Sequence, residues 1–254
     1  MNIKTLSLAV GLAVGLPHSA YAQSRITDHN NIGWYALNTT TKINNKFSVN
    51  LEYQWRRNDY ISTWQQGLLR FGFNYQVLTN LQLRIGYAWA ETFPYGDIPI
   101  NGMGKDFTEH RIYQAATTNG KLGIVDLSHR FMLEQRWIGR YSVTTLEKED
   151  EFVYNNRVRY MLRGQVPLKG KSITDKTPYA AAYNEIMIGF GENTGENVFD
   201  QNRFGLLLGY QFNKNLKIEG GYLNQIIQLG REIDGKNVFQ KNNGFIITTS
   251  INLN

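Results

Sequence analysis

Between Phe107 and Trp137, polar and apolar residues alternate with a period of two on either side of the dipeptide Asn119-Gly120. Successive side chains leave a strand on opposite faces, so this period belongs to a strand with one polar and one apolar surface. Asn-Gly is a strong short-range hairpin signal, because both residues tolerate the positive φ of a tight turn. The segment reads as FTEHRIYQAATT folded against KLGIVDLSHRFMLEQRW, in the register that opposes Glu109 to Arg130, Arg111 to Ser128 and Tyr113 to Asp126. These residues share one charged face, and Ile112, Ala116, Val125, Leu127, Phe131 and Leu133 make the other face apolar. In a soluble sandwich the charged face meets water and the apolar face meets a core. In a membrane barrel the apolar face meets lipid and the charged face lines the lumen.

The first residues favour the second arrangement. Lys4, an apolar run from Leu6 to Leu16 and the small-residue end Ser19-Ala20-Tyr21-Ala22 make the three parts of a secretory signal peptide, so residues 1–22 are expected to be removed and 23–254 to form one barrel domain. The chain has no cysteine, which excludes a disulfide framework and an acyl-anchoring cysteine at the cleavage site. Past the signal, no apolar run approaches the ~18 residues of a spanning helix. Losing Lys4 lowers the formal charge from +6 to +5, and the basic residues are spread along strands, which argues against nucleic acid as a partner.

The same alternation recurs along the chain. IGWYALNTTTKI and FSVNLEYQWRR pair Tyr35 with Trp55 and Leu37 with Tyr53 around Asn44-Asn45-Lys46. The next hairpin sets Leu69, Phe71, Phe73 and Tyr75 opposite Trp89, Tyr87, Ile85 and Leu83, with Gly72 facing Gly86. FDQNRFGLLLGYQF and LKIEGGYLNQII oppose Gln211 to Lys217 and Arg203 to Gln225. Tight turns alternate with long loops such as 92–106 and 139–151, the habit of barrels with short periplasmic turns and long external loops. Eleven strands can be counted, and single-chain bacterial barrels have an even number. The expectation is an all-β, antiparallel transmembrane barrel of twelve strands, with ten as the alternative.

The runs EHRIYQ, HRFMLEQRW, FDQNRFGLLLGYQF and GYLNQ, in that order, resemble a family of Bacteroidetes outer-membrane barrels known as domain-of-unknown-function family 2490. The resemblance covers nearly all of the mature chain. It implies an outer-membrane barrel of a Gram-negative bacterium and brings no activity, substrate or catalytic residue with it.

Two constellations carry chemistry. The first is a lumen charge network of Glu109, Arg111, Arg130, Glu134, Arg136, Arg157, Arg159, Arg163, Glu185, Arg203 and Glu219. Such a set either plugs the barrel with ion pairs or lines a narrow pore that favours small anionic solutes. The second is His110 with His129, opposed in the Asn-Gly register on the lipid side and expected as a polar pair at the outer interface. It is all that the chain offers to the enzymatic alternative, a phospholipase or lipid A deacylase. Ser128 beside it points inward, so no catalytic residue is assigned, and two histidines without a third ligand make no metal site. No cofactor is expected. The expected role is a narrow charge-lined pore or a structural, partner-binding barrel in contact with outer-membrane lipid and lipopolysaccharide, with loop 164–178 and its Lys169, Lys171 and Lys176 as a docking point for a periplasmic partner.

Overall fold

The computed structural model describes residues 25–194 and 198–253, so the segment read as a signal peptide lies outside the described residues. Eleven strands follow one another: β1 Ile26–Lys42, β2 Phe47–Asn58, β3 Thr63–Leu78, β4 Leu81–Thr92, β5 Phe107–Leu122, β6 Val125–Arg140, β7 Glu151–Pro167, β8 Thr177–Phe190, β9 Phe199–Asn213, β10 Leu216–Ile233 and β11 Lys236–Leu253. Each pairs with its neighbours in sequence, and β1 closes on β11 to complete a barrel. That last pairing is parallel, running from Ile26 opposite Val238 to Thr41 opposite Leu253. All other neighbours are antiparallel.

Eleven replaces the expected twelve or ten. Parity is a rule for barrels that close antiparallel, and a parallel seam accommodates an odd strand. Residues 26–31 add no separate strand but lengthen β1 towards the end of the barrel that carries the long loops.

The hairpins built around short polar turns adopt the expected registers. Tyr35 faces Trp55, Leu69 faces Trp89, Gly72 faces Gly86, and Arg203 faces Gln225. Glycine matters at the Gly72–Gly86 pair, since a Cβ on Gly86 would lie 2.5 Å from the ring and hydroxyl of Tyr113, which lies across both.

The central hairpin differs. Asn119 and Gly120 continue β5, and the chain reverses at Gly123-Ile124, where Gly123 has φ of 61°. Glycine at the first of two turn positions is the signature of a II′ turn. Asn-Gly yields because reversing four residues later pairs β6 with β5 as far as Ile138 opposite Glu109, where the Asn-Gly register would leave residues 133–138 facing the loop before β5. The hairpin closes beside an ion pair between Lys121 and Asp126 at 3.0 Å. Glu109 therefore faces Ile138 and not Arg130, while Arg111 faces Arg136 and Tyr113 faces Glu134. The turn moves by four residues, an even number, so each side chain keeps its face.

Outside, the wall is apolar: Phe73, Ile85, Phe131 and Leu208 are more than half exposed. Aromatic clusters flank this band, with Tyr35, Trp55 and Trp64 towards the long loops and Phe47 with Tyr75 and Tyr210 with Phe212 towards the tight turns. Among the described residues, no helix is long and apolar enough to cross a membrane, which says nothing of strands.

Candidate functional site

The inward face of β5 to β9 carries arginine and glutamate at positions that adjacent strands bring to similar depth. Glu109 accepts from Arg111 at 2.7 and 2.8 Å and from Arg136. Arg136 donates to Asp200 at 2.9 Å, and Asp200 accepts from Arg157 at the same distance. Arg157 donates to Glu134 at 2.7 Å, Glu134 accepts from Arg159 at 2.7 Å, and Arg159 donates to Glu185 at 2.7 Å. Glu185 also accepts from Arg130 at 2.8 Å and lies 3.7 Å from Arg203. Positive and negative groups thus alternate in one chain across the lumen. Its centre is dry, with Glu134 0%, Arg157 1% and Arg159 2% exposed.

Nine of the eleven expected lumen charges belong to this chain: Glu109, Arg111, Arg130, Glu134, Arg136, Arg157, Arg159, Glu185 and Arg203. Arg163 and Glu219 form a separate ion pair, with Gln165 accepting from Arg163 at 3.3 Å. The expected Glu109–Arg130 pair does not form. The shifted turn carries Arg130 towards the tight-turn end of β6, where Glu185 takes it.

Asp200 is the member that alternation misses. Met187 pairs with Gln201 and Ile188 with Phe199, so Asp200 is the extra residue of a β-bulge and turns inward against its parity. The surplus of inward arginine was the one available signal for another acid.

His110 and His129 do not meet. His110 stands three residues from the loop-side end of β5, and His129 stands four residues from the turn-side end of β6. Their ladder partners are Trp137 and Thr118. Each histidine bonds a tyrosine hydroxyl through Nδ1, His110 with Tyr87 at 2.6 Å and His129 with Tyr160 at 2.9 Å. Among the described residues, no group of three or more His, Asp, Glu or Cys is arranged to hold a metal ion.

At the loop side, residues 93–106 fold back into the mouth. Tyr95, buried and with its hydroxyl pushed up to about 12 by that burial, donates to Gln240 at 2.7 Å and accepts from Asn242 at 3.0 Å. Arg231 donates to the carbonyl oxygens of Pro99 and Ile100, and Ile98 and Ile100 pack on Ile227, Leu229 and Val238. A cleft of about 480 Å³ remains beside this loop, lined by Met103, Phe107, Ile138, Tyr141 and Leu229, and also by Glu109, Arg111, Arg136 and Asp200 from the network. A smaller cavity of about 270 Å³ lies at the tight-turn end, among Thr40, Lys42, Ser48, Gln76 and Gln82. Of the loop expected at 164–178, the stretches 164–167 and 177–178 belong to the wall, because β7 reaches Pro167 and β8 starts at Thr177. Lys169, Lys171 and Lys176 are exposed on what remains.

Searches among curated proteins and among solved structures returned no match. The family model described as "Protein of unknown function (DUF2490)" matches residues 31–235, most of the wall from β1 into the β10–β11 turn. The chain, an eleven-stranded barrel with an ion-paired interior, belongs to this DUF2490 family.

Proposed function

We propose that the protein is a Gram-negative outer-membrane barrel, inserted after signal-peptide removal and closed across its middle by its own ion pairs, that serves as a structural or partner-binding element and not as an open pore. The dry centre of the network carries this reading. Glu134, Arg157 and Arg159 are shielded from solvent, and an ion crossing the lumen would have to part charge-assisted hydrogen bonds of 2.7 Å. The apolar exterior and its aromatic flanks support the membrane placement, since a spanning wall needs an outward apolar band between two girdles. The loop-side cleft suits a small ligand or a partner's side chains, and the exposed lysines of loop 168–176 suit an acidic periplasmic partner.

Conductance in planar bilayers tests the closed lumen. The wild type is expected to pass no steady current, and Arg157→Ala with Glu134→Ala to open one. Steady wild-type conductance with anion preference would establish the narrow pore instead. Heat-modifiable gel migration and fractionation with outer membranes test the placement, and recovery as a soluble monomer without detergent would end it. For the acyl-hydrolase alternative, His110→Ala with His129→Ala is expected to leave envelope lipid acylation unchanged.

A further inference from the structure

We propose that the middle of the lumen holds a small inorganic oxyanion of the phosphate or sulfate class between the guanidinium groups of Arg56, Arg70, Arg130 and Arg203. These four cations are linked in series by shared partners. Arg130 and Arg203 share Glu185. Arg203 and Arg56 share Trp34, their guanidinium carbons 4.9 and 3.8 Å from its ring centroid. Arg56 connects through Gln54 to Glu52, which pairs with Arg70 at 3.3 Å.

The series is short of negative charge. Glu52 and Glu185 face four arginines, and Glu185 also serves Arg159 at 2.7 Å. Arg56, 4% exposed, meets no carboxylate among the described residues, and its donors go to the amide oxygens of Gln54 and Gln66 at 2.6 to 2.8 Å. The Trp34 indole that both approach attracts both cations but carries no net charge, so their repulsion persists in a medium that screens poorly.

A second, independent observation identifies the missing partner as an acceptor. The buried Nε atoms of Arg70, Arg130 and Arg203 have no hydrogen-bond partner among the described residues, and Arg70 and Arg203 are only 6% and 8% exposed. A charged N–H donor removed from water without an acceptor is costly, and a guanidinium edge presents donors spaced for two oxygens of one oxyanion. An oxyanion supplies both the charge and the acceptors. The site needs the barrel but does not depend on whether ions traverse it.

The test uses the full mature chain in detergent with inorganic phosphate as the probe, offered to the folded barrel and also during refolding. Equilibrium dialysis is expected to find about one phosphate per barrel, with the unfolding midpoint rising to a plateau as the site fills. Arg203→Gln is expected to weaken uptake by about tenfold or more. Arg56→Gln is expected to raise the midpoint in phosphate-free buffer, by removing repulsion, while reducing the phosphate response. No uptake above background by either route would overturn the proposal, as would wild-type uptake in both variants. Should Arg203→Gln fail to fold, the wild-type dialysis and Arg56→Gln decide. Heat-modifiable migration of each sample separates loss of the site from loss of the barrel.

Discussion

Glu134→Gln removes the carboxylate on which two arginines converge, and the structure lets the loss be sized. Glu134 and Arg157 are 0% and 1% exposed, so water cannot replace the missing charge. Breaking one side of a buried ion pair costs ~3–5 kcal/mol, because the partner is left uncompensated. Arg157 keeps Asp200 at 2.9 Å and Arg159 keeps Glu185 at 2.7 Å, which places the expected loss near the lower end, ~3 kcal/mol. Arg157→Gln alone leaves Glu134 with Arg159 and Asp200 with Arg136, and is expected to cost a similar amount. The double variant restores neutrality and should recover ~2 kcal/mol, within the range of coupling between residues in contact. Urea unfolding in detergent, followed by tryptophan fluorescence and by heat-modifiable migration, measures all three. Single losses under ~1 kcal/mol would mean that water screens the pair, as it does at surfaces, and a coupling of zero would refute the pairing.

Three further outcomes are expected. Gly123→Ala should destabilise the barrel by ~1 kcal/mol because its φ of 61° disfavours a Cβ, whereas Gly120→Ala, with nothing within 4 Å of its Cβ position, should be close to neutral; equal effects would return the turn to Asn119-Gly120. A spin label at Phe73 in lipid vesicles should be reached by oxygen and one at Arg70 should not, and the reverse would exchange the two faces of the wall. Asp150 accepts from the Ser142 hydroxyl at 2.6 Å and its backbone N–H at 2.8 Å, and these bonds hold its carboxyl below the ordinary value. A depressed carboxyl makes its contribution above the unfolded value and loses it as pH falls through the folded one. Proteolysis of loop 141–150 should therefore quicken only below the ordinary aspartate range, and Asp150→Asn should show the faster cleavage at neutral pH.

The residues announce the wall more clearly than its interior. β1 with β2, β3 with β4 and β9 with β10 are legible because their turns are short and polar, so local chemistry and the alternating faces agree on one register. In the central hairpin they conflict. Asn119-Gly120 satisfies a local rule, but turning there would leave residues 133–138 opposite the loop before β5 and forgo their ladder bonds with Glu109 to Gln114. Because the turn differs by an even number of residues, alternation alone puts Glu109, Arg111, Arg130 and Glu134 on the inward face, and the difference falls on their partners. The pairing of His110 with His129 failed for the same reason. Asp200 was beyond reach, since a bulge reverses parity and FDQN carries no local sign of one.

The parallel seam gives the two ends of the wall different histories. β11 ends at Leu253 on the tight-turn side, and β1 starts at Ile26 on the loop side. In the proposed orientation the carboxyl end stays where the chain was delivered, while the amino end finishes on the cell surface. Ten strands can cross as five closed hairpins, β2 with β3 through β10 with β11, each led by a loop. β1 has no such companion. In that orientation, and with the proposed signal peptide removed before Gln23, its amino end would be carried across singly and then zipped against a strand running the same way. An epitope tag placed before Ile26 would burden that crossing and would be read by antibody on intact cells, whereas one placed after Leu253 would be hidden until the envelope is opened.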